Sequence, residues 1–294
     1  MKVTVIILLF IFVYGNFNAK SQVSREYQQR ELLAYNILFG GITAGIGSAI
    51  NKPKGSKLIK TVCAAFAYGM LGGVINFSSK KVLYNINKNE DYRFAWIANT
   101  GSCMGNSIIY NASLNNKFGS YWFFDLWAAR VELNLRDKSE NKFKIKVLPN
   151  ALIGSCIYFA QKATLDVRTT LQTGIITFTL QSNPYFYGNT YMRAIGTEKN
   201  SAGVTEYLSY AHEMTHYFQF REHLVFNTWL KPFSKKVPKV PKAVFEKWVY
   251  LDIPWFYGFY ALETQNDLRN YYQNFYEYEA QFFATNSYVS MKLW

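Results

Sequence analysis

The chain has 294 residues, half of them apolar, with 24 Phe, 23 Tyr and 7 Trp. That composition excludes intrinsic disorder and supplies core for one large domain or two ordinary ones. The formal charge is +13, but its two lysine-rich stretches, residues 52–60 and 231–242, show no aromatics interleaved on one face, so no nucleic-acid partner is expected.

In chain order, Lys2 precedes an apolar run over residues 3–14, then small and polar residues. This is the layout of a secretory signal peptide, with cleavage after Ser21 or, earlier, after Gly15. The expectation is an exported protein of the periplasm or cell envelope. No Cys ends the apolar run, so a lipoprotein anchor is not indicated. Cys63, Cys103 and Cys156 are odd in number and widely spaced; they read as small core residues rather than a disulfide framework.

Two small-residue apolar segments follow, residues 32–50 and 62–77. Each carries G-x-x-x-G: Gly41 with Gly45, and Gly69 with Gly73. Glycines four apart let another helix backbone approach closely. Two readings stay open: packed or interfacial helices, or a membrane hairpin with its lysine loop on the cytoplasmic side. Residues 96–113 resemble this pair in small-residue content. The lysines suit solvated loops, or attraction to an anionic membrane surface or acidic polymers.

The middle region changes period. Residues 124–135 and 143–147 alternate, and residues 164–180 read as two strands around residues 172–174. Four to six antiparallel strands are predicted. From Ala202 a helical pattern returns in "VTEYLSYAHEMTHYFQFREH". A Pro-rich linker and an aromatic loop, "YLDIPWFYGFYAL", separate it from a last helix, "NDLRNYYQNFYEYEAQFFATNSYV", with Asn266 or Asp267 as N-cap.

The chemistry concentrates in "HEMTH". Only three histidines exist, and His212 and His216 lie four apart. On a helix they share one face, one turn apart, within reach of one tetrahedral ion. Glu213 is rotated away by about 100° and is free to act on a proton instead. A shuffle of this composition gives H-E-x-x-H about once in a thousand tries. A third ligand is required. The extended H-E-x-x-H-x-x-G-x-x-H pattern fails, because positions 219 and 222 are Gln219 and Glu222 and His223 falls one residue late.

"EYEAQFFA", residues 277–284, supplies carboxylates instead. Here the chain resembles the gluzincin zinc peptidases, whose H-E-x-x-H is followed on a later helix by E-x-x-x-D. The likeness covers about 90 residues. It implies one zinc per chain on His212, His216 and Glu277, with Glu279 the second choice and Asp252 or Asp267 weaker ones, and Glu213 as general base. Gln281 stands where the family has an aspartate that orients a ligand histidine. Gln219 and His223 lie on the histidine face and are candidates to support the site. His223, Tyr217, Tyr271, Tyr272 and Tyr288 are candidate transition-state donors.

The expected organisation is a signal peptide (1–21), a glycine-rich helical region (22–117) with a candidate membrane hairpin at 32–77, an antiparallel β region (118–200) and a zincin-like catalytic region (201–294), an α+β fold. The expected function is hydrolysis of peptides or proteins. The alternative is a membrane-associated or envelope structural protein with a structural or vestigial zinc site.

Overall fold

A computed structural model describes residues 24–135, 142–181, 188–198, 205–234, 247–264 and 274–287. The signal segment, residues 235–246 of the Pro-rich linker, Asn266, Asp267, Tyr271, Tyr272 and Tyr288 lie outside these. The fold mixes helices with two small sheets, as expected for α+β.

Ser24 caps α1 (Arg25–Ile50) by accepting from the Tyr27 amide. It is followed by α2 (Leu58–Asn89) and α3 (Phe94–Ser113). All three extend beyond the apolar runs that mark them in the sequence. Glycine makes the α1–α2 contact close: a Cβ on Gly40 would collide with the Gly69 carbonyl oxygen, and one on Gly73 with that of Asn36. Of the two sequence motifs, Gly69 and Gly73 serve in this way. Gly45 does not, since its Cβ would sit an ordinary 3.7 Å from Val62.

Among the described residues the β region has seven strands. A three-stranded antiparallel sheet joins β1 (Tyr121–Leu126), β2 (Ala129–Asn134) and β3 (Phe143–Val147). Residues 124–135 therefore do not form one strand: they turn at Trp127, whose φ of 51° places it in the left-handed region. The helix α4 (Pro149–Ala160) leads to a second sheet, ordered β4 (Thr164–Leu165), β5 (Ile176–Thr179), β7 (Ala194–Thr197), β6 (Gly188–Tyr191). The β5–β7 pair is parallel, which corrects the all-antiparallel expectation. The strand pair predicted at residues 164–180 is interrupted by α5 (Val167–Thr173). Asp166 caps it by accepting from the Thr169 amide, and Gly174 ends it at φ 72°. Local capping thus overrides the alternating pattern.

The last helices are α6 (Glu206–His223), continued by a 3-10 turn (Leu224–Leu230), then α7 (Trp255–Thr264) and α8 (Phe275–Thr285). The aromatic segment at residues 250–262 is thus largely helix rather than loop. Asn274 caps α8 by accepting from the Tyr276 amide at 2.9 Å.

Two anchors hold α6. Ile175 beside β5 and Ile195 of β7 pack on Tyr210, Ala211, Met214 and Phe218. Behind it, Arg221 reaches Asp125 of β1 at 3.3 Å. Asp125 also pairs with Arg130 and Arg193. Burial alone would raise the Asp125 pKa, but the arginines outweigh it and hold the carboxylate ionised. On the other side, Leu32 of α1 and Phe77 of α2 pack on Tyr278, Phe282 and Phe283 of α8.

Cys103 is buried as predicted, but Cys63 and Cys156 are exposed, so only one of the three is a core residue. Helices α1 and α2 are long and apolar enough to cross a membrane by length and composition. They differ in surroundings: the most apolar window of α1 is 56% buried inside the protein, and that of α2 22%.

Candidate metal centre

Thr205 caps α6 by accepting from the Leu208 amide at 3.1 Å, and the helix runs through the motif without a break. Four-residue spacing then stacks His212 and His216 on one face. Glu277 lies in the first turn of α8, where the helix dipole favours a carboxylate. The packing of α8 on α1, α2 and α6 brings it to the histidines.

His212 Nε2 lies 3.1 Å from Glu277 Oε2, His216 Nε2 lies 3.3 Å from Glu277 Oε1, and the two Nε2 atoms are 3.2 Å apart. Tetrahedral zinc with bonds of about 2.0–2.1 Å places its ligand atoms roughly 3.3–3.4 Å apart. The two imidazole nitrogens and the Glu277 carboxylate make a triangle close to that size: each ring faces a different carboxylate oxygen, and one ligand atom from each of the three residues lies within 4.8 Å of the others. Among the described residues this is the one set of three or more His, Cys, Asp or Glu side chains that could hold an ion.

The donor set also has the right chemistry. Gln219 donates its amide to the Tyr276 carbonyl oxygen at 3.0 Å and to Glu279 Oε2 at 2.9 Å. Its carbonyl oxygen is thereby oriented toward His216 Nδ1, 2.7 Å away. That nitrogen must carry a hydrogen and donate it. In the neutral ring, Nε2 is then a bare lone pair aimed at the triangle. Without a cation, Glu277 and Glu213 favour protonated His216; burial opposes this, and the carboxylates prevail, raising its pKa to about 9. Glu277 itself is held well below the usual carboxylate range: burial would raise it, but the histidines outweigh that.

Glu213 is buried beside the triangle. Burial raises its pKa, partly offset by His216 and His212. Thr190 of β6 donates its hydroxyl to Glu213 Oε2 and to the Glu213 carbonyl oxygen, each at 2.9 Å. The strand passes so closely that a Cβ on Gly188 would lie 2.8 Å from Glu213 Cγ. A carboxyl whose pKa is raised by burial and which is fixed in one orientation is suited to proton transfer.

The other sequence candidates separate clearly. Glu279 is turned away from the histidines and salt-bridged to Lys80 at 3.0 Å. Asp252 is paired with Arg193 at 2.8 Å. Gln281 is half-buried and its side chain forms no hydrogen bond among the described residues; Gln219 does the orienting that the resemblance assigned to position 281. His223 is buried, with Nδ1 donating to the Gln219 carbonyl oxygen at 2.7 Å and Nε2 3.1 Å from the Tyr276 hydroxyl; burial lowers its pKa to about 4. Tyr217 faces Arg221 on the opposite side of α6. His223 has both ring nitrogens engaged, and Tyr217 is buried away from the histidine pair.

Tyr260 was missed. Its hydroxyl donates to Glu277 Oε1 at 2.7 Å, and burial, with Glu277 beside it, keeps the phenol protonated. The signal was the aromatic run at residues 255–260, but with 23 tyrosines only the fold singles one out.

No family model matches the chain, and neither a curated protein nor a solved structure matches it.

Proposed function

We propose that the protein is an exported zinc-dependent peptidase of gluzincin type, acting on peptides or proteins at the cell envelope. One observation carries this reading: two imidazole nitrogens and a carboxylate from two separate helices converge, one ligand atom of each lying within 4.8 Å of the others, with a buried glutamate following the first histidine. The described fold supports the α+β part, and the likeness to zincins rests on the site. The apolar N-terminal run supports export, and the length and apolarity of α1 and α2 support membrane association.

His212, His216 and Glu277 would hold the ion through Nε2, Nε2 and a carboxylate oxygen. When bound, zinc supplies Lewis acidity to a carbonyl oxygen and to water. Glu213 takes a proton from water and delivers it to the leaving amine nitrogen. Thr190 keeps its carboxyl in place. Tyr260, whose hydroxyl donates to Glu277, would turn that proton to a developing oxyanion.

The test is zinc content of the purified chain together with cleavage of an unstructured protein such as casein. One zinc per chain is expected in wild type, none in His212→Ala, and one in Glu213→Gln without cleavage. A wild type that binds no zinc overturns the reading. A wild type that holds zinc and cleaves nothing makes the site structural.

A further inference from the structure

Beneath His216 lies a buried charge cluster that the proposed chemistry does not use. Lys80 of α2 is completely buried. Its ammonium donates to Glu222 Oε2 at 2.8 Å, to both oxygens of Glu279 at 3.0 Å, and to Asn36 Oδ1 at 3.0 Å. Asn36 of α1 donates in turn to Glu279 Oε1 at 2.8 Å. Burial would strip Lys80 of its proton, but Glu222 and Glu279 outweigh it and keep the ammonium. Glu222 is the strained member, pushed up to about 7 by burial and by Glu279 beside it.

The cluster points one way. Glu279 Oε2 accepts from both Lys80 and Gln219, and Gln219 accepts from His216 Nδ1. The line Lys80, Glu279, Gln219, His216 is unbroken and every link is buried. A buried lysine with two carboxylates is costly to assemble where an apolar side chain would do, which is the mark of a geometric role.

We propose that Lys80 is a positioning residue of the metal centre, setting the ligand tautomer of His216 through Glu279 and Gln219. This rests on the zinc reading above. Lys80 holds the Glu279 carboxylate, that carboxylate holds the Gln219 amide, and the amide leaves Gln219 only an acceptor to offer Nδ1. The glycine-rich helices are then part of the site, with α2 supplying Lys80 and α1 supplying Asn36.

The test measures zinc affinity by chelator competition in wild type, Lys80→Met and Glu222→Gln. Outer partners of a ligand histidine change metal affinity by about 10–100-fold. Lys80→Met is expected to bind zinc at least about tenfold more weakly. Glu222→Gln, which touches Lys80 but lies off the line, is expected within about threefold of wild type. A fold-wide effect of Lys80 would instead lower the melting temperatures of zinc-free and zinc-loaded protein equally, leaving affinity unchanged, and that result overturns the proposal. Should Lys80→Met not fold, the Lys80→Met, Glu222→Gln double variant removes one buried carboxylate with the ammonium and carries the same expectation. If wild type binds no zinc, the peptidase reading and this one fall together; if wild type binds tightly and Lys80→Met matches it, only this one falls.

Discussion

At the residue scale the site can be tested by pH. In zinc-free protein the pKa of His216 is raised from 6.5 to about 9. A raised pKa means that the folded state holds a proton the unfolded chain has released. The stability from the His216–Glu277 pair is therefore complete below pH 6.5 and lost as pH rises through 9. Zinc needs the same Nε2 lone pair and must displace that proton, so its affinity runs the opposite way. The zinc-induced rise in melting temperature should grow between pH 6.5 and 9, while the zinc-free protein loses stability over the same interval. A zinc-induced shift that is flat with pH would remove His216 from the ligand set. Kinetics separate two further residues. Glu213→Gln should lower kcat by about 10²–10⁴-fold with zinc retained. Tyr260→Phe should lower kcat by about 10²-fold, the usual cost of one lost oxyanion donor; unchanged kcat would leave Tyr260 as a prop for Glu277.

At the element scale the glycines differ although the sequence presents them alike. Gly69→Ala and Gly73→Ala each push a methyl into an α1 backbone carbonyl or its neighbours, and overpacking of this kind costs about 1–3 kcal/mol. Gly45→Ala meets nothing closer than 3.7 Å and gains about 1 kcal/mol of helix propensity. Urea denaturation should therefore show two destabilised variants and one that is neutral or stabilised. Equal losses at all three would mean that both motifs face the interface. The same contrast explains what was legible. H-E-x-x-H and the E-Y-E run are local patterns, and a helical reading of each matches the helices that carry His212, His216 and Glu277. Which G-x-x-x-G is used, which tyrosine reaches Glu277, and that Gln219 rather than Gln281 orients a histidine all depend on crossing angles between helices distant in sequence. The strand pair read at residues 164–180 forms, antiparallel, but it is short and its connection is not a turn, since Asp166 and Gly174 cap a helix that β-propensity hides.

At the scale of the molecule, the proposed zinc ligands all lie within residues 205–287, yet the helices that hold them in register begin at residue 25. Leu32 and Phe77 cover the apolar side of α8. Asn36 and Lys80 satisfy Glu279 on the same helix. Removing α1 and α2 would expose Phe282 and Phe283 and leave Glu279 without its cation, so α8 would have neither the apolar contacts nor the charge balance that fix Glu277 against the histidines. A fragment spanning residues 205–294 contains every proposed ligand and the proposed base. It should nonetheless bind zinc at least about 100-fold more weakly than the chain from residue 24 onward, since a site that must be folded by the metal loses the folding cost from its affinity. Adding a separately produced piece covering residues 24–113 should restore part of that loss, and should do so less well when it carries Lys80→Met. Full zinc affinity in the isolated fragment would show instead that α6 and α8 assemble the centre on their own, and would free the glycine-rich helices for a role at the membrane alone.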